Sequence, residues 1–254
     1  MGNQVFEGKR VRLIDTHAHL DELTDIDGVV ERARRAGVIG IVAMGIGQIS
    51  NMKIIELSKT YNDYVFPAIG IHPSELEGSL EEMIKYVEQN ADSCVAIGEI
   101  GLDYWMKTDK EKQKKAFKSL LEIALNNNKP VSIHSRGAWE ETYNIVEQMN
   151  VKKAVFHWYS GPLEVLKKIL DQEYYVSASP SSEYSKKHRE SIYQTPLENL
   201  LLETDSPVKY NDAESEPVDV FKTLKYVSEL KGVEEETIAK KTTENAIELF
   251  KLKI

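Results

Sequence analysis

The sequence has only one cysteine, Cys94, so the chain cannot form an internal disulfide bond. Because Cys94 begins an apolar run, we expect its thiol to be buried and structural. No apolar run approaches the roughly 18 residues of a membrane span, and residues 1–10 lack the apolar core of a secretory signal. These absences favour a cytoplasmic protein that has no membrane partner.

An excess of positive charge is also absent. The 32 Lys and Arg residues are outnumbered by 41 Asp and Glu residues, which gives a net charge of −9. Affinity for nucleic acid comes largely from neutralised phosphates, so the whole surface is not a polyanion-binding face. Any contact with nucleic acid must be local, where bound dications or a few basic residues offset the acidic charge.

Gly/Ser-rich linkers and low-complexity segments are lacking as well. The length of 254 residues is ordinary for one α/β barrel of about 250 residues. A hydrophobic fraction of 41% with 29% charged residues provides one large core and a polar surface. We therefore expect residues 1–254 to form a single domain, with no obligate protein partner evident.

Short Val- and Ile-rich runs alternate with amphipathic stretches along the chain. The predicted strands are residues 12–20, 40–46, 65–73, 94–103, 130–136, 153–159, 174–180 and 199–207. The predicted helices are residues 28–36, 50–61, 79–89, 109–127, 139–149, 162–170, 185–194 and 217–230, followed by a last helix at 235–253. Eight βα units indicate an α/β fold, a TIM-like (β/α)8 barrel with an extra C-terminal helix. Residues 208–216 have no clear pattern and are predicted to form a loop.

Metal-ligand residue types gather at one level of this predicted barrel. Five of the six histidines lie at the C-terminal ends of predicted strands: His17, His19, His72, His134 and His157. Glu99 and Asp205 lie at the same level on the fourth and eighth strands, at the face where barrel active sites are found. His17 and His19 are two residues apart and so share one strand face, which lets both imidazoles reach one ion. Without an ion, each unsatisfied group there costs about 1 to 3 kcal/mol, so the pattern predicts a metal site.

Seven short motifs are spread over nearly the whole chain. They are DTHAH at 15–19, GIHP at 70–73, AIGEIGLDY at 96–104, PVSIHSR at 130–136, HWYSG at 157–161, LLETDSP at 201–207 and TENAIELF at 243–250. In this order and with these separations, the chain resembles the TatD-family metal-dependent deoxyribonucleases of the amidohydrolase-like superfamily. The resemblance implies a deoxyribonuclease of the exonuclease type, with single-stranded DNA as the expected substrate.

The resemblance also implies a ligand set for two divalent ions per chain. One ion is bound by His17, His19, Glu99 and Asp205, and the second by Glu99, His134 and His157. The strand-end pattern selects the same six residues. Two cations about 3.5 to 4 Å apart suit an in-line attack on phosphorus, with Asp205 as the candidate base and Glu99 bridging. Imidazole-rich ligation favours Zn²⁺ or Mn²⁺, while carboxylates and phosphate oxygens also suit Mg²⁺.

Four further residues receive supporting roles. His72 is expected to contact substrate, because Pro73 follows it and it completes no usual ligand set. Arg136 is a candidate phosphate contact, although a surface ion pair explains it equally well. Asp15 and Glu203 each lie two residues before a ligand on the same strand face, so we expect them to point into the barrel one layer deeper and to orient ligands through hydrogen bonds.

Two hypotheses apply to other residues near the barrel mouth. Trp105, Trp158, Tyr159 and Tyr184 either stack on unpaired bases or pack at the rim. The basic residues of segment 107–118, and Lys186, Lys187 and Arg189, either attract phosphate or form a solvated helix face. Trp158 and Tyr159 also replace the Cys-Phe that the family usually shows, and the loop before Pro217 lacks the usual run that includes an Asn. These departures concern the substrate range more than the metals.

Two other functions are compatible with the pattern. The first is an amidohydrolase-type enzyme acting on a C–N bond, a lactone or a small phosphoester; many such enzymes bridge their metals with a carbamylated lysine, whereas Glu99 stands on the fourth strand here. The second is a non-catalytic binding protein with structural ions. Structural zinc sites are usually closed by four ligands, often cysteines, which a mixed histidine and carboxylate set does not resemble.

Overall fold

The computed structural model describes residues 11–210 and 212–254. Eight parallel strands follow one another around a barrel in chain order: β1 (Leu13–Ala18), β2 (Val38–Met44), β3 (Val65–Ile69), β4 (Ala96–Asp103), β5 (Val131–Arg136), β6 (Ala154–Phe156), β7 (Tyr175–Ala178) and β8 (Leu200–Leu202). The barrel closes where Ala18 pairs in parallel with Ser206, and where the His19 N–H donates to the Ser206 carbonyl at 2.7 Å. The predicted TIM-like barrel is confirmed.

Helices cover the outside of the sheet. They are α1 (Ile26–Ala36), α2 (Gln48–Thr60), α3 (Leu80–Asn90), α4 (Lys110–Asn126), α5 (Trp139–Gln148), α6 (Leu163–Asp171), α7 (Lys186–Gln194), α8 (Val220–Lys231) and α9 (Glu235–Phe250). The last of these, α9, is the extra C-terminal helix, and it packs against β1 and β8. Because helices cover one face of the strands and the barrel interior the other, most strand residues are buried, which explains their continuous apolar runs.

Short polar side chains set where several helices begin. Asp25, Ser79, Asp109 and Ser185 precede α1, α3, α4 and α7, and each accepts a hydrogen bond from a backbone N–H in the first turn. These bonds satisfy donors that have no partner inside the helix. Helix α1 ends at Gly37, whose φ of 114° suits glycine far better than any other residue. The predicted helices therefore differ from the observed ones mainly at their ends.

Six of the predicted strands, all but the fourth and fifth, were too long at their C-terminal ends, and the third, predicted to end at 73, ends at Ile69. The sixth was predicted as 153–159 but ends at Phe156, and the eighth was predicted as 199–207 but ends at Leu202. Trp158 and Asp205 have φ values of 42° and 52°, in the left-handed region that an extended strand cannot contain. His157 and Asp205 therefore lie in turns that follow their strands.

The segment predicted as a loop at 208–216 contains regular structure. Lys209–Tyr210 and Ala213–Glu214 pair as a short antiparallel hairpin, β9 and β10. A 3₁₀ turn at Pro217–Asp219 then leads into α8. Within the described part of the chain, none of the helices has the length and apolar character needed to cross a bilayer.

Candidate metal centre

Five strand ends direct imidazole and carboxylate groups toward one point at the top of the barrel. Nε2 of His17 and Nε2 of His19 are 3.3 Å apart. Each lies 3.4 Å from Oε2 of Glu99, and Oδ1 of Asp205 is 3.4 Å from the first and 3.3 Å from the second. Neighbouring ligand atoms of an ion with bonds of about 2.1 Å are separated by about 3.0 to 3.4 Å. These four side chains, which we call the first ligand group, are therefore spaced to share one cation.

A second ligand group lies on the other side of Glu99. Oε1 of Glu99 is 2.8 Å from Nδ1 of His134 and 2.8 Å from Nε2 of His157. The two imidazole nitrogens are 3.3 Å apart. Glu99 thus presents one carboxylate oxygen to each group. With only three protein donors, the second group leaves coordination positions for water or substrate, as catalytic sites do.

Hydrogen bonds at the far sides of the rings orient two of these ligands. His19 Nδ1 is 3.1 Å from the Met44 carbonyl, which can only accept, so this nitrogen carries the proton and Nε2 keeps its lone pair for the first group. His134 Nε2 lies 3.0 Å from Oδ2 of Asp103, which leaves Nδ1 free for the second group. Such outer partners set the tautomer of ligating histidines.

In the two ligand groups, the protonation of the histidines and the ionisation of the carboxylates depend on each other. Burial alone lowers the pKa of His19, but the hydrogen bond and charge of Asp205 outweigh it and raise that pKa to about 9. Burial likewise lowers the pKa of His157, yet the charge of Glu99 raises it well above its usual value. Burial raises the pKa of Asp205, but the hydrogen bond from His19 and the charges of the surrounding histidines together lower it to about 2. Without ions, protonated imidazoles balance the carboxylates, and cations would replace those protons.

One buried carboxylate has no hydrogen bond among the described residues. Both oxygens of Glu203 are buried and unpartnered, and Oε1 is 3.5 Å from Nδ1 of His157, which is unpartnered too. An unpaired buried charge is costly unless a nearby positive charge balances it. Without ions the protonated ring of His157 supplies that charge, and a cation on its opposite nitrogen would supply it through the ring. This observation and the donor set both fit divalent metal ions.

The two ligand groups form the floor of a cavity of about 750 Å³. Its walls include His72, Arg136, Trp105, Trp158 and Tyr184. The Nδ1 atom of His72 accepts a hydrogen bond from the Ser74 N–H at 3.1 Å, so the proton of the neutral ring is on Nε2. That nitrogen is 3.7 Å from Oε1 of Glu99. His72, Glu99 and His134 lie close enough to hold an ion, but the proton on Nε2 makes His72 a donor instead.

Comparison with known proteins identifies the family. The family model described as TatD related DNase matches residues 14–251. The chain belongs to the TatD-related DNase family. Deoxyribonuclease TATDN3 of Homo sapiens is 31% identical, over 94% of this chain and 95% of that protein. The metal-dependent hydrolase YabD of Bacillus subtilis is 33% identical, over 94% of this chain and 99% of that protein.

A solved structure gives the same result for the fold. The TatD homologue YjjV of Escherichia coli superposes with a TM-score of 0.91 at 26% identity, covering 96% of this chain and all of that one. The predictions of the TatD family, of the barrel and of a metal-dependent hydrolase are thereby confirmed.

The TatD barrel brings all six predicted metal ligands together. The other predicted residues are close by. Arg136 lines the cavity with its side chain 44% exposed, and its Nε donates to Oδ2 of Asp103 at 2.7 Å. Arg136 therefore forms the ion pair at the edge of the cavity, and its contact with phosphate stays a prediction. The carboxylate of Asp15 accepts hydrogen bonds from the Thr204 N–H, the Thr204 hydroxyl and the His17 N–H. These hydrogen bonds therefore go to backbone and to a hydroxyl, and not to the imidazole ring of a candidate ligand.

Asp103 was missed as a supporting residue by sequence reasoning. It is fully buried at the end of β4, where Oδ2 contacts both His134 and Arg136 and Oδ1 accepts from the backbone of Trp105 and Met106. A signal was present, because Glu99, Gly101 and Asp103 are two residues apart and share one strand face. The same carboxylate thus positions the His134 ring, a candidate metal ligand, and a cavity-lining guanidinium.

We expect Asp103→Asn to weaken metal binding more than it slows the reaction. Asn keeps the Oδ1 acceptor for the backbone but cannot accept the His134 proton, so the affinity for an ion held by His134 should fall about 10- to 100-fold. Titration of activity with Mn²⁺ would show this as a shifted midpoint, with kcat at saturating metal much less affected. Asp109→Asn, at a helix cap where Asn serves equally well, is the matched control. An unshifted midpoint in Asp103→Asn would contradict the positioning role.

Two other predictions concern residues away from the ligands. Cys94 is buried, as predicted. Tyr159 is fully buried and its hydroxyl donates to the Pro162 carbonyl. The hypothesis that this ring stacks on unpaired bases was therefore wrong. The cause is the left-handed turn at Trp158, which directs Tyr159 into the helical layer. Trp105, Trp158 and Tyr184 remain at the cavity wall.

His188, which sequence reasoning assigned no function, joins α7 to the barrel. It is fully buried: Nδ1 donates to the Tyr159 carbonyl at 2.8 Å, and Nε2 accepts from the Ser179 N–H at 3.1 Å. In the neutral ring both nitrogens form a hydrogen bond. A proton on Nε2 would face the Ser179 N–H and break the bond that Nε2 accepts from it. Burial accordingly lowers the pKa of His188 to about 4.

The neutral His188 should make folding stability fall in mild acid. In the unfolded chain the ring takes up a proton near pH 6.5, whereas in the folded chain it does so near pH 4, so protons favour unfolding between these values. At pH 5 the loss relative to pH 7 is about 2 kcal/mol. Urea unfolding of the wild type and of His188→Gln at both pH values isolates this contribution, because acid effects on other groups are common to both. Equal losses in the two proteins would refute it.

Proposed function

We propose that this chain is a two-metal deoxyribonuclease of the exonuclease type that acts as a single catalytic domain on single-stranded DNA. The observation that carries the proposal is Glu99, whose two oxygens face two separate groups of ligands 2.8 to 3.4 Å away. His17, His19, Glu99 and Asp205 would hold one ion, and Glu99, His134 and His157 the other. When bound, the two ions would activate water and neutralise charge on the phosphate oxygens.

Asp205 is the proposed base. Its carboxylate is held at the cavity floor by a turn in which its own N–H donates to the His17 carbonyl at 2.9 Å. The pKa of Asp205 is lowered, so the carboxylate is ionised at neutral pH. As the water oxygen bonds to phosphorus, Asp205 takes the proton that the water loses. The sugar oxygen leaves with the electron pair of its bond to phosphorus and takes up that proton, which regenerates the carboxylate.

His72 and Arg136 are the proposed substrate contacts. The Nε2–H of His72 points into the cavity, where it can donate to a phosphate oxygen. Asp103 holds Nε of Arg136, so the terminal guanidinium nitrogens remain for a phosphate, a pairing that is often bidentate. Neither side chain reacts with substrate in this proposal. Both fix the phosphate relative to the metal ligands.

Substrate class is tested with the purified protein. We would strip the metal with a chelator, restore Zn²⁺, Mn²⁺ or Mg²⁺ separately, and offer single-stranded DNA, RNA, an amide panel and a lactone panel. The expected result is metal-dependent release of nucleotides from one end of labelled DNA. Turnover of a lactone or an amide without nuclease activity would overturn the proposal in favour of amidohydrolase-type chemistry.

A further inference from the structure

A groove leads away from the metal centre along α7. The cavity above the ligands is lined by Tyr184, Lys186 and Lys187, and an adjoining depression is lined by Tyr184, Lys186, Arg189 and Tyr193. Tyr184 and Lys186 line both, so the depression adjoins the cavity along α7. We name the surface formed by these five residues the α7 track.

The α7 track combines positive charge with exposed aromatic rings. Lys186, Arg189 and Tyr193 are spaced i, i+3 and i+7, so they lie along one face of the helix. The exposed fractions of Tyr184 and Tyr193 are 53% and 60%, far above what a core residue shows. Within residues 11–210 and 212–254, neither Lys187 nor Arg189 forms an ion pair, and Lys186 makes only a loose contact, 3.9 Å from Glu190.

His188 fixes this surface relative to the site. Its side chain points inward from the same helix, and its two bonds reach the Tyr159 carbonyl, two residues after His157, and the Ser179 N–H after β7. The neighbouring residues Lys187 and Arg189 point outward and are exposed. The positive charges are therefore on a helix anchored beside the metal ligands, which a mobile loop could not provide.

A cleft that adjoins the cavity at Trp139 carries more acidic residues than the α7 side. Beyond Trp139, which lines the cavity, a separate cleft is lined by Glu140, Glu141 and Glu164, with Lys168 as its one basic residue among those described. Glu140 pairs with Lys168 and Glu141 pairs with Lys114, which offsets two of these carboxylates. At α7 three basic residues lie beside Glu190, so the α7 side attracts a polyanion more strongly. Although the chain has a net charge of −9, this local contrast favours a phosphate backbone on the α7 side of the cavity.

We propose that the α7 track binds a single strand of nucleic acid on one side of the phosphate that is cleaved. This inference rests on the proposed nuclease function. Lys186, Lys187 and Arg189 bind successive phosphates, while Tyr184 and Tyr193 stack on unpaired bases, whose faces are accessible only in a single strand. Nine helical residues span about 14 Å, which accommodates several phosphates spaced by at least about 3.4 Å.

The charge component is tested on the metal-loaded enzyme with Lys187→Ala combined with Arg189→Ala. We would measure kcat/KM for a single-stranded dodecanucleotide and for a dinucleotide over a series of salt concentrations. The loss should be about tenfold or more for the dodecanucleotide and smaller for the dinucleotide. The slope of log kcat/KM against log salt should become less negative by about 1.4, or about 0.7 for each phosphate contact. Lys53→Ala with Lys59→Ala, two exposed lysines of α2 that line neither cavity nor track, should match the wild type.

The stacking component is tested with Tyr193→Ala and Tyr193→Phe. The alanine variant should lose at least about fivefold in kcat/KM for the dodecanucleotide, and the phenylalanine variant, which keeps the ring, should not. If the wild type cleaves both substrates while the track variants behave like it, or lose equally on both lengths, the track is refuted and the nuclease proposal stands. If the wild type cleaves neither substrate, both proposals fail.

Discussion

Asp205→Asn is expected to reduce kcat by about 10²- to 10⁴-fold, the range that a positioned acid or base contributes. The amide cannot accept the proton of the attacking water, and it is a weaker metal donor than a carboxylate. The backbone should be preserved, because the φ of 52° at this position is one that Asn adopts readily. The measurements are kcat on labelled single-stranded DNA at saturating metal and thermal unfolding of the same preparation.

The neighbouring Ser206 provides a control for this variant. Its hydroxyl is buried and has no hydrogen-bond partner among the described residues, so Ser206→Ala alters the same turn without removing a ligand. It should retain nearly the full rate. An Asp205→Asn protein that folds normally and keeps a tenth or more of the wild-type kcat would remove Asp205 from the chemistry.

Glu99→Gln is expected to have the larger effect, a fall in kcat/KM of at least about 10⁴-fold, because both ligand groups lose their shared anion and with it both ions. The side chain is isosteric and its site is 3% exposed, so the change removes charge with little change in packing. Glu122→Gln, the same replacement at an exposed position of α4, should leave the rate unchanged. The measurement is kcat/KM over a range of added metal, with circular dichroism to verify folding.

Two results would contradict the assigned role of Glu99. One is full rescue of Glu99→Gln by millimolar metal at the wild-type kcat, since a site without its bridge should not recover the rate. The other is loss of the rate in Glu122→Gln as well, which would point to a general effect of removing acidic charge.

Much of the fold and the ligand set follows from local patterns in the sequence. Alternating apolar runs and amphipathic stretches give the order of strands and helices, and the carboxyl ends of parallel strands in a barrel meet at one face. His17 and His19 are predictable because a spacing of two has a definite meaning on a strand. Glu99, His134 and His157 then follow from their places at the ends of other strands.

What the sequence does not predict depends on turns and on contacts between distant residues. The left-handed backbone at Trp158 and Asp205 ends two strands early, and it buries Tyr159 where a rim position was equally reasonable. Asp103 contacts His134 across 31 positions of sequence, and His188 contacts Tyr159 across 29. Such pairs depend on how β4, β5 and α7 pack, which no local pattern specifies.

The acidic net charge illustrates why bulk composition is a weak guide to the partner. A value of −9 opposes nucleic acid only if charge is spread evenly. Here three carboxylates lie in the cleft beyond Trp139, and three basic residues lie along α7. The contrast between the two sides matters more for a phosphate chain than the sum over the surface.

The most direct test of a centre bridged by Glu99 is Mn²⁺ loading of the chelator-treated protein, followed by elemental analysis and electron paramagnetic resonance. Two Mn²⁺ ions per chain with a spin-coupled spectrum are predicted, and the coupling should be lost in Glu99→Gln. One ion per chain, or two ions with uncoupled spectra, would contradict the account.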